Sequence, residues 1–248
     1  MNGKVAIVTG GTAGIGAAVA GAMADQGASL VVVARHVPPD HGGRPDWLRE
    51  GTPVRFVAGD VRDAEVAAAA VQTALSSFGR LDVLVNAAGL DARGRLLDVT
   101  EQTYRDVFDV NVLGPIRMTQ AAARAMSVDG GAIVNVAARS AIRAVADKAV
   151  YGAAKAALIS LTRTAALELA PRIRVNAVAP GYTDAPALRA RFSAADDPEE
   201  AMGALAAEVP LLRLASAAEV AQAVLFLAGD ASHYVTGTVL SVDGGLTA

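Results

Sequence analysis

The sequence predicts an α/β fold, a doubly wound sheet of seven mostly parallel strands with helices on both faces. Three observations carry this. A β-branched run, Val5-Ala6-Ile7-Val8, leads through a glycine-rich turn into an alanine-rich helix. Short apolar runs then alternate with helical segments along the chain. No linker, repeat or composition shift divides the 248 residues, so a single domain over 1–248 is expected.

In chain order, the opening strand ends at Thr9, and Gly10, Gly14 and Gly16 form a tight turn into a helix reaching about residue 26. Further strands are read at 29–34, 54–58, 81–86, 132–136, 173–178 and 238–242, rich in Val, Ile and Leu as strands buried on both faces must be. Helices are expected over 63–77, 100–126, 150–169 and 217–227. Two stretches break the rhythm. Residues 36–52 hold three Pro and three Gly, leaving a solvated loop with a short helical turn around 45–50. Residues 182–212, with helix-favouring flanks and a polar middle, form a long insertion after the sixth strand. Ligands of such sheets bind beyond the carboxyl ends of the strands, so this insertion is a candidate substrate lid.

Composition excludes several function classes. With no Cys and only three scattered His (His36, His41, His233), neither a disulfide nor a metal site is expected. A net charge of −3 with mixed signs offers no basic stripe for nucleic acid. No apolar run is long enough to cross a membrane. Residues Met1 to Lys4 enter the first strand directly, so no signal peptide is expected and the chain is read as cytoplasmic.

Two arrangements carry chemistry. N–H groups at a helix start lack intrahelical partners and sit at the positive end of the helix dipole, so a glycine turn there can hold a pyrophosphate. Tyr151 and Lys155 stand four apart in a helical segment, on one face. The ammonium is expected to favour the ionised phenol and lower its pKa, making Tyr151 a proton donor and acceptor near neutral pH.

Along its whole length the chain resembles the short-chain dehydrogenase/reductases, in particular the compact branch that includes 3-oxoacyl-carrier-protein reductases. The marks are Thr9-Gly10-x-x-x-Gly14-x-Gly16, Asp60-Val61, Asn86-Ala87-Ala88-Gly89, Asn111, Tyr151-x-x-x-Lys155, Pro180-Gly181 and Asp243-Gly244-Gly245, in that order. The resemblance implies a Rossmann-type sheet and a nicotinamide cofactor. Gly10, Thr12, Gly14, Ile15 and Gly16 would hold the pyrophosphate, Asp60 and Val61 the adenine, and Asn86, Ala87, Ala88 and Gly89 the adenosine side. Tyr151 would donate the proton to a substrate carbonyl. Lys155 would lower its pKa and bind the nicotinamide ribose, while Asn111 would support a proton-relaying water. Pro180, Gly181 and Thr183 would line the nicotinamide. A homodimer or homotetramer built on the 100–126 and 150–169 helices is also implied.

Cofactor choice follows from charge. A carboxylate at the end of the second strand would bind a ribose 2′-OH, whereas a guanidinium favours a 2′-phosphate. Ala34 stands at the usual acidic position and Arg35 follows, so NADP(H) is preferred and NAD(H) remains possible. The expected activity is an NADPH-dependent carbonyl reductase, reversible as an alcohol dehydrogenase, acting on a small or carrier-bound ketone. The alternatives are an NAD-dependent alcohol dehydrogenase and a catalytically impaired cofactor-binding protein. The pocket is expected between 139–147, 91–96 and the insertion.

The pattern fails at two places. The Ser that family members usually carry thirteen residues before the Tyr is Ala138 here, and Ser140 supplies a hydroxyl only if the loop is rearranged. The Thr often found four residues after the Gly of Pro-Gly is Ala185, so the nicotinamide carboxamide contact it would make is either lost or taken by Thr183.

Overall fold

The computed structural model describes residues 1–36, 45–193 and 197–248. From the N-terminus it runs β1 (Val5–Thr9), α1 (Gly14–Asp25), β2 (Ser29–Ala34), β3 (Val54–Ala58), α2 (Ala64–Phe78) and β4 (Val83–Asn86). It continues with α3 (Glu101–Phe108), α4 (Gly114–Ala125), β5 (Gly131–Val136), α5 (Ala149–Leu169) and β6 (Ile173–Pro180). The last elements are β7 (Thr183–Asp184), α6 (Pro186–Phe192), α7 (Pro198–Ala207), β8 (Ala215–Ser216), α8 (Ala217–Ala228) and β9 (Val239–Val242).

Seven of these strands form one sheet in the order β3-β2-β1-β4-β5-β6-β9, and every pairing is parallel. The strand order reverses between β1 and β4, which opens a crevice at their carboxyl ends. Because side chains alternate across a strand, each strand feeds two cores. Ile7, Val31, Leu84, Ile133 and Val175 face Ala70, Met118 and Ala165 of α2, α4 and α5. Ala6, Val8, Val32, Val85 and Val134 face Val19 and Ala20 of α1 and Val220 and Val224 of α8. Ala18, Ala20, Ala22 and Ala24 of α1 and Ala165 and Ala166 of α5 are thus packing residues.

Register also sets polar groups side by side. Thr9 pairs with Asn86 and Asn86 with Asn135, at the carboxyl ends of β1, β4 and β5. Thr9 Oγ1 accepts from the N–H groups of Ala87 (3.1 Å) and Ala88 (3.0 Å), fixing the chain as it leaves β4. Asn86 Nδ2 donates to Asn135 Oδ1 at 2.8 Å, and Asn135 Nδ2 to Thr162 Oγ1 at 2.9 Å.

Two expectations change, and a third gains detail. The single helix over 100–126 is two helices joined by a widened turn at Asp109–Leu113. Pro115 lacks an N–H, so the Asn111 carbonyl loses its i+4 donor, while the Asn111 side chain turns back and donates Nδ2 to Val107 O at 2.9 Å. Around 45–50 the chain makes a hydrogen-bonded turn, Leu48 N–H to Pro45 O at 2.8 Å, and no helix. Trp47 of this turn packs on α1 so closely that a Cβ at Gly21 would lie 2.8 Å from its own, so the segment is not wholly solvated. Residues 37–44, His41 among them, lie outside the described residues. Finally, the 182–212 insertion contains α6 and α7, the latter capped by Asp197, whose Oδ1 accepts from the N–H groups of Glu199 and Glu200. Its strand β7 pairs with β8, which ties it back to the start of α8. Residues 194–196 of its polar middle are outside the described residues.

Candidate active site

At the switch point, β1 turns into α1 through three glycines, two of which leave no room for a side chain. Gly10 has φ +68, and a Cβ on it would lie 3.0 Å from the Ala88 backbone. A Cβ on Gly16 would lie 2.3 Å from the Gly10 carbonyl oxygen. Gly14 is different: its φ is +55, and an added Cβ would meet only Ala185 Cβ, at 3.9 Å. Ala13 gives α1 no side-chain cap, and the first turn contains no acidic residue. The turn is therefore an open cradle with first-turn N–H groups free for an anion. Thr12 and Ile15 flank it, half-buried.

Beyond β2, Arg35 is exposed, and its charge helps hold the Asp60 carboxyl below its ordinary pKa, after the larger effect of the Arg62 hydrogen bond. Both Asp60 oxygens are taken by Arg62, at 2.9 Å from its backbone N and 3.0 Å from Nη2. Val61 packs in the core against Gly114, where a Cβ would come within 2.8 Å of its side chain. The Asn86 side chain likewise turns inward, so Val61 and Asn86 offer the crevice their backbones only.

At the carboxyl ends of β4 and β5, α5 presents Tyr151 and Lys155. The Lys155 side chain is buried, donates to Val136 O at 2.8 Å, and has its ammonium 5.8 Å from the Tyr151 ring centre. Burial lowers its pKa to about 8 from 10.5. Asn111 Nδ2 donates to Leu90 O at 2.8 Å, and a Cβ on Gly89 would lie 3.1 Å from Asn111 Oδ1 and 3.5 Å from Lys155 Nζ. Gly89 is thus the spacer that lets Asn111 and Lys155 approach.

The tyrosine differs from expectation. Burial first, then the charge of Asp91, pushes the Tyr151 phenol above its ordinary pKa rather than below it. Desolvation penalises the charged phenolate, and the neighbouring carboxylate adds to that penalty.

Pro180 ends β6 beside Val242 of β9, and Gly181 N–H donates to Val242 O at 3.0 Å. A Cβ on Gly181 would lie 2.7 Å from Asp243 Cα, so the Pro180-Gly181 and Asp243-Gly244-Gly245 turns interlock. Thr183 is buried and donates to Gly181 O at 3.4 Å. Ser140 is not brought to this site as a donor: its Oγ is enclosed, with no hydrogen-bond partner among the described residues, and its backbone and Cβ lie against Gly152 in the first turn of α5. Ala138, at the end of β5, is buried.

A family model described as enoyl-(acyl carrier protein) reductase matches residues 10–247. The chain belongs to the short-chain dehydrogenase/reductase family. A cis-4-hydroxycyclohexanecarboxylate dehydrogenase of Sinomonas cyclohexanicum is 40% identical over 257 residues, covering 99% of this chain and 97% of the relative. An acetoacetyl-CoA reductase of an Acinetobacter species is 35% identical, covering 98% of this chain and 97% of the relative. A crystal structure of an actinorhodin polyketide ketoreductase variant with NADPH superimposes with a TM-score of 0.90 at 32% identity, over 98% of this chain and 97% of that one.

As a short-chain dehydrogenase/reductase, the chain is an NAD(P)-dependent oxidoreductase acting on a small molecule, and the open glycine cradle fits a nicotinamide dinucleotide. Among the described residues no group of His, Cys, Asp or Glu could hold a metal, and no helix is long and apolar enough to cross a membrane.

Sequence reasoning missed several residues at the site. Thr9 pins the β4 exit, and its signal is a polar residue closing an apolar strand. Lys148 forms an ion pair with Asp91 and places its ammonium 5.0 Å from the Tyr151 ring centre. The signal was a Lys three residues before the Tyr, on the same helical face. Arg139 lies over the Tyr182 ring at 4.3 Å, a contact between two loops that no spacing reveals.

Proposed function

We propose that the chain is an NADPH-dependent carbonyl reductase, reversible as an alcohol dehydrogenase, with Tyr151 as proton donor. The observation that carries this reading is the convergence of Lys155 and Asn111 on Gly89, with the Lys155 ammonium 5.8 Å from the Tyr151 ring centre, beside the open glycine cradle. When bound, the cofactor supplies the hydride. A phenol whose pKa is pushed up stays protonated at neutral pH, which suits a group that gives its proton to a carbonyl oxygen. Lys155 and Asn111 hold the floor of the site, and Val136 O orients the ammonium. Pro180, Gly181 and Thr183 line the nicotinamide face, and Gly10, Thr12, Gly14, Ile15 and Gly16 hold the pyrophosphate. Asp60 and Val61 flank the adenine, and the backbone from Asn86 to Gly89 the adenosine.

The preference for NADP(H) over NAD(H) rests on Arg35, an exposed guanidinium after a strand that ends in Ala34 instead of a carboxylate. Arg35→Asp is expected to raise KM for NADPH by about tenfold or more and to shift preference toward NADH. Steady-state kinetics with both cofactors checks it, and an unchanged ratio would remove Arg35 from this role. The 182–212 insertion serves as a substrate lid: Ala185, which opens α6, brings its Cβ within 3.9 Å of where a Gly14 side chain would start. The chain is one domain over 1–248, cytoplasmic, working on a small or carrier-bound ketone. Exposed Tyr104 and Leu167, on α3 and α5, support a homodimer or homotetramer.

One observation favours a slower variant of this reading. With Ala138 at the usual Ser position and Ser140 Oγ enclosed, the carbonyl oxygen has Tyr151 and no serine hydroxyl. The test is NADPH consumption on a panel of ketones. Wild type turns over, and Tyr151→Phe binds NADPH while losing at least about 100-fold in kcat.

A further inference from the structure

Asp60 leaves β3 by way of Gly59, whose N–H donates to Ala34 O at the end of β2 at 3.0 Å. Its carboxylate therefore stands at the carboxyl ends of the strands, on the β2–β3 side of the glycine cradle. That is the half of a doubly wound sheet over which the adenosine end of a dinucleotide extends. Both oxygens of this carboxylate are already engaged. Oδ1 accepts from the Arg62 backbone N–H at 2.9 Å, and Oδ2 accepts from Arg62 Nη2 at 3.0 Å. The other guanidinium nitrogen, Nη1, donates to Asp106 Oδ1 of α3 at 3.3 Å, across 44 positions of sequence.

Arg62 is thus clamped between two carboxylates that belong to different parts of the fold. Its side chain is 40% exposed against 18% for Asp60, so the guanidinium rather than the carboxylate is what an incoming base meets. The exocyclic amino group of adenine is a neutral donor. To reach Asp60 it would have to displace a charged donor that a second carboxylate also holds, and hydrogen bonds between two charged partners are the stronger ones. A guanidinium carries five N–H donors, of which Asp60 and Asp106 use two. The subsite therefore presents donors where a free Asp60 would present an acceptor.

We propose that Arg62 sets the base selectivity of the cofactor site: it keeps Asp60 from the exocyclic amino group and offers N–H donors in its place. The site then takes dinucleotides whose purine carries either an amino or an oxo group. This rests on the reading of the chain as an NADPH-binding reductase and adds a selectivity within its cofactor site. Asp60 orients Arg62 and does not read the base.

The probe is the NADPH analogue with hypoxanthine in place of adenine, which puts a carbonyl acceptor where the amino donor was. Binding of both forms to the whole protein is read from reduced-nicotinamide fluorescence, with no substrate present. Wild type is expected to bind the two within about threefold of each other. In Arg62→Ala the freed Asp60 accepts from the amino group and repels the carbonyl, so adenine should be preferred by about tenfold or more. Arg62→Lys keeps a cation on Asp60 and should stay near wild type. A wild-type preference for adenine of about tenfold, lost in Asp60→Asn, would overturn the proposal by showing that Asp60 reads the amino group past Arg62. Equal binding of the two forms by Arg62→Ala would overturn it as well. Should the binding pattern hold while no ketone is reduced, the reductase reading fails and the role of Arg62 stands. Should wild type reduce ketones with NADPH yet reject the hypoxanthine form, the reductase stands and the role of Arg62 falls.

Discussion

Replacing Lys155 with Met is expected to abolish turnover while making the fold more stable at neutral pH. The ammonium is buried and donates to Val136 O, with no carboxylate partner among the described residues. Burial lowers its pKa to about 8 from 10.5. At about 1.4 kcal/mol per tenfold change in proton affinity, this costs the folded chain on the order of 3 kcal/mol. Losing the hydrogen bond to Val136 returns about 1 kcal/mol, so a net gain of about 2 kcal/mol is expected for Lys155→Met.

The pH dependence gives the sign. Between about pH 8 and 10.5 the unfolded chain binds more protons than the folded one, so wild-type stability rises with pH there. Below this window the full penalty stands. The advantage of Lys155→Met is therefore largest at pH 7 and shrinks toward pH 10. Denaturant unfolding at both values checks it, and an advantage equal at the two would show that the charge is not the cause.

Ala138→Ser is expected to speed ketone reduction. Removing an oxyanion-type donor typically costs about 10²–10³ in rate, and a hydroxyl returned without its evolved surroundings should recover about tenfold or more. The backbone permits it: Ala138 has φ −163 and ψ 157, extended geometry that serine adopts freely. Ser140→Ala is the control. It deletes an enclosed hydroxyl with no partner, so rate should hold and stability should hold or rise. A large loss of rate in Ser140→Ala, with no gain in Ala138→Ser, would mean that the loop after β5 rearranges to present Ser140.

The strands and their order were legible because buried parallel strands leave a strong mark, short Val-rich runs separated by helices. Gly10 and Gly16 were legible as spacing, and the structure adds the reason, a backbone approach that no Cβ survives. Tyr151 and Lys155 were legible from their helical interval. The direction of the Tyr151 pKa was not, because it depends on how deeply α5 is covered rather than on its neighbour four residues on. Asn111 was legible as a polar residue in a helix, yet its partner across the fold, the Leu90 carbonyl, is 21 positions away and only folding supplies it. The Arg139–Tyr182 contact joins loops 43 positions apart, by subtraction of their numbers, and only folding brings them together. Ser140 was a reasonable substitute by position, but two residues along a short 3-10 turn point its hydroxyl into the packing against α5.

The central claim, that Tyr151 is the proton donor of an NADPH-dependent carbonyl reductase, is tested most directly by one paired measurement. NADPH binding is followed by fluorescence and NADPH consumption by absorbance, on the same ketone panel, for wild type and Tyr151→Phe. The prediction is equal binding in the two proteins, turnover in wild type, and a loss of at least about 100-fold in Tyr151→Phe. Turnover that survives in Tyr151→Phe would contradict the assignment of the proton donor, and NADPH binding with no ketone reduced by wild type would contradict the reductase itself.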